Sequence, residues 1–299
     1  MVRWLMMLGP WALLLGVALV EPGLSQVKGP ALEHVSPSKT RSERNWNAFW
    51  RHHLGEWQGS WTRYTPSGEV IETFASSRRF TADSAQTKVV QRNIYDYADG
   101  RSIRREWNFN SVDHSLASGF AHPVSDTMRG LALDNGAAAW MIPHLERNQI
   151  APFELFLVDG DIRHSVGVLY GTDGHLVRTT SIREERGDRS SKSWTNFIDQ
   201  EEPWNPNGRW QGKESQIRAD LSRMPMKQSS WQWKETEQTN HFFPDGIILR
   251  CPDQIVAGQP FSVRVVWLVN NDALQTLIVD YDSEAQLIAV THQSLTPDL

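Results

Sequence analysis

Cysteine is nearly absent from this chain: its 299 residues include one, Cys251. A single thiol excludes an intramolecular disulfide, and with it any cysteine-based zinc or iron–sulfur centre within one chain. Positive charge is in deficit too. The 30 Lys and Arg stand against 35 Asp and Glu, a formal charge of −5, which argues against nucleic acid as the main partner. There is no Asn-x-Ser/Thr sequon, no Gly-x-Ser-x-Gly elbow, no phosphate loop, no dinucleotide fingerprint and no His-Glu-x-x-His. Tyrosine is scarce at 5 residues, whereas tryptophan reaches 14 and outnumbers the 11 phenylalanines. Trp brings large buried area and one N–H that needs a partner, so this surplus points to broad sheet surfaces, barrel interiors or aromatic-lined sites. With 39% apolar and 22% charged residues, the chain can bury the core of one large domain or two small ones.

One long apolar run is present. Arg3 is followed by the uncharged stretch Trp4 to Val20 and then by Gly23-Leu24-Ser25. Residues 1–25 match a secretory signal peptide cleaved near Ser25–Gln26, or a membrane anchor, since the run just spans a thin bilayer. Residues 26–44, with Pro30, Pro37 and several Lys, Ser and Thr, read as a flexible linker. Trp46, Phe49 and Trp50 then recur at i, i+3, i+4, which predicts a short amphipathic helix to His53, stopped by Gly55.

An internal repeat organises the remainder. Gly55-Glu56-Trp57-Gln58-Gly59 returns as Gly208-Arg209-Trp210-Gln211-Gly212, identical at four of five positions. The seam falls where Asp199, Glu201 and Glu202 meet Pro203 and Pro206, which gives domains at 45–200 and 201–299. Within each copy the segments are short, rich in Val, Ile, Thr and aromatics, and separated by turn dipeptides such as Asp99-Gly100, Asn135-Gly136 and Asp159-Gly160. Roughly nine strands are expected in the first copy and about six in the second. In Phe261-Ser262-Val263-Arg264-Val265 the apolar side chains share one face. A meander of this kind removes its exposed edges by closing. The expected fold is therefore all-β, two lipocalin-like antiparallel β-barrels in tandem preceded by a short helix, with a pair of packed sandwiches as the alternative.

The aromatic helix, Gly55-x-Trp57 at the first strand and the closing meander resemble the lipocalin or calycin superfamily. The stretch from Trp46 through Phe80 goes further, together with Phe243-Pro244-Asp245-Gly246-Ile247, Cys251-Pro252, Gly258-Gln259-Pro260-Phe261, Val266-Trp267-Leu268-Val269 and Tyr281-Asp282. It is similar to a two-domain family of cyanobacteria and chloroplasts catalogued as a domain of unknown function, whose plant member is a biogenesis factor for chloroplast ATP synthase. That resemblance implies two lipocalin-like barrels, no catalytic residues and no cofactor. It also implies a non-enzymatic interaction protein with ATP synthase catalytic-head subunits as partners, in a cytoplasmic, thylakoid-facing location. The leader implies export or membrane anchoring instead, with membrane contact through residues 1–25 alone. The alternative function is a carrier of a hydrophobic ligand (lipid, carotenoid or tetrapyrrole). A third reading, a chromophore-presenting relative of the phycobilin lyases, also passes the motif search.

Particular residues carry these readings. Trp57 and Trp210 are the repeat positions, expected to close their barrels, and Arg183 on the last strand of the first copy is expected to face Trp57 as a cation–π partner. Trp61, Trp107, Trp140, Trp231, Trp233 and Trp267, all on expected strands, are the candidates to line a ligand cavity. Arg78, Arg79, Arg101, Arg104 and Arg105 are expected to form a basic patch for an acidic partner, since arginine suits carboxylate recognition. The more acidic second copy leaves the first as the docking surface. Glu184 and Glu185 could be paired acid–base carboxylates, but alternating charge along the solvent face of a strand accounts for them. The histidines are scattered, and no metal site is expected.

Overall fold

The computed structural model describes residues 37–187, 193–234 and 238–298, with side chains from residue 40. The expected leader, Trp4 and Trp11 within it, and linker residues 26–36 lie outside the described residues. The helix α1 (Pro37–His53) begins earlier than the aromatic spacing predicts. Residues 37–44 are therefore helical rather than linker, because polar contacts to the barrel and to the turn at Asp220 of the second copy, invisible to hydropathy, hold this first part. Arg41 pairs with Asp220 at 2.8 Å and Arg44 with Asp134 at 2.5 Å. The Asn45 side chain donates to the Gly130 carbonyl and accepts from the Ala132 N–H, both at 2.8 Å.

After α1 come β1 (Gly55–Tyr64), β2 (Val70–Ala82), β3 (Lys88–Tyr97) and β4 (Ser102–Asn110). A single turn, α2 (Ser111–His114), leads to β5 (Ser115–Leu116), β6 (Gly119–His122), β7 (Ser125–Ala132), β8 (Ala138–Met141), β9 (Ala151–Asp159), β10 (Ile162–Tyr170) and β11 (Leu176–Arg186). These eleven strands form one antiparallel sheet in the order β4-β3-β2-β1-β11-β10-β9-β8-β7-β6-β5, a nearly closed barrel. The second copy supplies β12 (Arg209–Arg218), β13 (Lys227–Gln232), β14 (Thr239–Phe243), β15 (Ile247–Cys251), β16 (Phe261–Asn270), β17 (Ala273–Tyr281) and β18 (Leu287–Pro297). They make a seven-stranded antiparallel sheet ordered β13-β12-β18-β17-β16-β15-β14. Eleven and seven strands exceed the expected nine and six. β5 and β6 are too short to show alternation, and the stretch expected as one strand from Trp231 to Thr239 divides between β13 and β14.

The repeat has a structural meaning. Gly59 lies between Glu184 of the last barrel strand and Ser76 of β2, and Gly212 lies between Leu295 and Ser229 in the same way. A Cβ on Gly59 would sit 1.9 Å from the Arg183 carbonyl oxygen, and one on Gly212 would sit 2.1 Å from that of Ser294. First and last strands approach so closely at both points that only glycine fits. The tryptophans two residues earlier match as well: Trp57 donates to the His53 carbonyl at 3.0 Å and Trp210 to the Asn207 carbonyl at 3.2 Å.

Two principal cores result. Trp46, Phe49 and Trp50 of α1 pack with Phe80, Phe109, Phe120, Trp140 and Phe156 inside one end of the barrel. The larger core lies outside the barrel, where Leu131, Phe153, Leu155, Leu157, Val166 and Tyr170 meet Phe243, Leu249, Val263, Val265, Trp267, Leu277 and Val279 of the second sheet. β9 is consequently buried along seven successive positions, Ala151 to Leu157. One of its faces lines the lumen and the other carries the second sheet. Cys251 is wholly buried in this shared core, and burial pushes its thiol up to about 12, so it is no nucleophile.

Candidate functional site

Inside the first barrel is a cavity of about 170 Å³. Phe49 and Trp50 of α1 meet Phe80, Phe109, Trp140 and Phe156 along its walls. Val124, Thr127 and Ile150, all exposed, mark its mouth. Strand alternation brings Arg78, Glu154, Arg163 and Arg178 into the same lining.

Beneath the aromatic wall runs a buried charge network. Arg78 forks onto Glu184 through Nε and Nη2, and its Nη1 donates to Glu154 at 3.2 Å. Arg163 Nε donates to the same Glu184 at 2.8 Å, and its Nη1 donates to His53 Nδ1 at 2.9 Å. His53 must then be neutral with its proton on Nε2, which donates to the Gly136 carbonyl at 3.0 Å. Burial, reinforced by Arg163, holds His53 well below its usual value and keeps it in that form. Burial works against the carboxylate of Glu184, but Arg163 and Arg78 outweigh it and hold its pKa below the ordinary value. At Glu154 the balance reverses: burial raises its pKa and a single contact to Arg78 does not compensate. Burial pulls Arg163 down to about 10, still charged at neutral pH. His122, in contact with Phe109 and Trp140, is pushed down to about 4 by burial. Among the described residues no group of three or more His, Cys, Asp or Glu could hold a metal ion.

The structure separates the residues grouped by sequence. Of the six Trp candidates, Trp140 lines this cavity. Trp61 lines a smaller neighbouring pocket, stacked on Phe74. Trp107 packs against the helix-side core beside His122. Trp231 and Trp233 lie edge to face on and just beyond β13, with Arg250 4.5 Å over Trp233. Trp267, 1% exposed, belongs to the core between the sheets and lines neither of these two pockets. The aromatic wall is mostly phenylalanine, which the tryptophan surplus could not reveal.

Two arginine expectations are corrected. Arg183 does not face Trp57. The ladder sets Arg186 opposite Trp57, so Arg183 falls on the outer face and pairs with Asp245 at 2.6 Å. The cations on Trp57 are Arg163 and Arg186, 4.2 and 4.4 Å from its ring. Arg78 is no surface residue either. It is 3% exposed in the lumen, while its neighbour Arg79 points outward and pairs with Glu56. Arg101 is exposed and pairs with Asp99. Arg104 and Arg105 are exposed on β4, and among the described residues no carboxylate pairs with either.

A nearly closed antiparallel barrel, plugged by an aromatic helix and holding a cavity, defines a lipocalin-like protein. Two family models match this chain: the N-terminal domain of a family described as a domain of unknown function (DUF3598) over residues 42–189, and the C-terminal domain of "biogenesis factor required for ATP synthase 1" over residues 218–294. The chain belongs to this two-domain lipocalin-like family. A crystal structure of a DUF3598 protein of unknown function from Nostoc punctiforme superposes with a TM-score of 0.64 at 18% identity, covering 85% of this chain and 99% of the other. An S-type phycobiliprotein lyase from Guillardia theta gives 0.34 at 12% identity, over 52% of this chain and 99% of its own. No curated protein matches the chain.

Proposed function

We propose that this chain is a non-enzymatic assembly factor for photosynthetic ATP synthase, acting on subunits of the catalytic head. The observation that carries the reading is the match of residues 218–294 to the C-terminal domain of an ATP synthase biogenesis factor. The exposed Arg104 and Arg105, with which no carboxylate pairs among the described residues, support a contact with an acidic partner surface. Arg79 and Arg101 are already paired on the surface, with Glu56 and Asp99. Affinity capture with the tagged chain from its source cells is expected to recover catalytic-head subunits. Replacing Arg104 and Arg105 together by Glu should lower that recovery about tenfold, because like charges at an interface cost several kcal/mol. Recovery of no head subunit by the wild-type chain would overturn the reading. A cytoplasmic, thylakoid-facing location goes with it, and mass spectrometry of the mature N-terminus tests this: an exported chain starting near Gln26 would contradict it.

A second reading, a carrier of a hydrophobic ligand, is supported by the aromatic cavity. Mass spectrometry of a solvent extract of native protein is expected to find a bound apolar molecule at near-stoichiometric amount, and a ligand-free extract would count against it.

A further inference from the structure

Among the described residues, four arginines line the main cavity and the smaller pocket beside it, and three of them are neutralised. Arg63 pairs with Glu72, while Arg78 and Arg163 share Glu184. Arg178 has no such partner: among the described residues, no carboxylate lies within ion-pair distance of it and no hydrogen bond satisfies its guanidinium. It is partly buried, and it lines both the main cavity and the smaller pocket beside Trp61. The ladder sets Leu169 opposite both Arg178 and Pro152, and Ile150 lies just before Pro152 at the open end. Burial and the neighbouring Arg63 lower Arg178 to about 10 against the weaker pull of Glu72, which is itself paired with Arg63, so Arg178 is a cation at neutral pH in a place that disfavours charge.

We propose that the first barrel binds a small amphipathic carboxylate, its ring or short acyl body in the aromatic cavity and its head on Arg178. This rests on the ligand-carrier reading and adds the chemistry of the ligand. A guanidinium matches a carboxylate with two parallel N–H···O bonds. Arg78 and Arg163 cannot serve, because Glu184 already occupies both. Size limits the body: a cavity of about 150 Å³ admits benzene, and this one of about 170 Å³ takes a phenyl ring or a short chain.

Isothermal titration of the full chain with 4-phenylbutanoate and with its neutral counterpart 4-phenylbutanol tests the proposal. The acid is expected to bind about tenfold or more tightly than the alcohol, the worth of a charge-assisted pair. Arg178→Leu should abolish that preference by weakening the acid alone, leaving the alcohol within about twofold, and Arg178→Lys should retain part of it. Since Arg178→Leu removes a cation without an ion pair of its own, its thermal midpoint should not fall. Thr127→Trp, an exposed change at the mouth, should weaken both ligands together. If both bind equally to wild type, or if Arg178→Leu keeps the preference, the assignment of the head is wrong although the carrier reading stands. If Thr127→Trp changes neither, the ligands do not enter this cavity and both the assignment and the carrier reading fail. If wild type binds neither, the carrier reading falls with it.

Discussion

Glu184 is 0% exposed and faces two guanidinium groups. Removing its charge strands Arg78 and Arg163 in the lumen, and losing one partner of a buried ion pair typically costs about 3–5 kcal/mol. Glu184→Gln should therefore lower the urea midpoint strongly, whereas Glu56→Gln, at an exposed pair with Arg79, should cost less than about 1 kcal/mol; similar midpoints would refute a structural role for the network. His292 gives a pH prediction. Its Nδ1 accepts from Asn135 Nδ2 at 2.7 Å and its Nε2 donates to Gln275 Oε1 at 3.0 Å, so a second proton would point at a donor. Burial pushes its pKa down to about 4. A histidine depressed from about 6.5 leaves the unfolded chain binding more protons below that pH. Stability is thus full above about pH 6.5 and is lost as pH falls toward 4, by about 3 kcal/mol from this residue. Thermal melts from pH 7.5 to 4.5 should show the decline, and His292→Gln should make it shallower without removing it, since His53 and His122 are depressed as well; an unchanged slope would refute the assignment.

At the scale of elements, the closing contacts are the sharpest test. Gly59→Ala and Gly212→Ala would each drive a methyl into a backbone carbonyl of the last strand. Overpacking costs about 1–3 kcal/mol where side chains can adjust, and more is expected here because a strand must move. Loss of soluble protein or a large drop in melting temperature should follow for both, and near-native melting of either would show that the strands separate easily. The repeat, the aromatic helix and the alternating faces of β16 were legible in the sequence because each is a local pattern. The polarity of the lumen was not. On β10 and β11 the inward residues Arg163, Arg178 and Glu184 are charged, while Val166, Val168 and Tyr170 face outward into a core. Sequence alternation shows that two faces differ but not which faces solvent, and here neither does. Glu184 was therefore read as a solvated surface charge, and Arg78 was assigned to a docking patch.

The whole molecule hangs together through the face between barrel and second sheet. Tyr281 donates its hydroxyl to the Ile142 carbonyl at 2.7 Å, Tyr170 to the Pro252 carbonyl at 2.9 Å, and Gln275 donates its amide to the Val158 carbonyl at 3.1 Å. Backbone bonds cross as well, from Leu287 N–H to the Pro143 carbonyl and from Leu176 N–H to that of Asp253. The apolar side chains between them form one cluster drawn from both copies. Two self-sufficient barrels joined at a seam would unfold separately. One shared core should instead unfold in a single cooperative transition, since neither half can bury its outer face alone. Residues 26–200 expressed alone should precipitate, or remain soluble only with an exposed apolar face that takes up hydrophobic dye. Co-expression with residues 201–299 should restore a soluble, dye-negative complex. Calorimetry of the intact chain provides the second measurement. A soluble monomeric N-terminal fragment that melts at the temperature of the intact chain would show that the barrel stands alone and that the second sheet is an appendage.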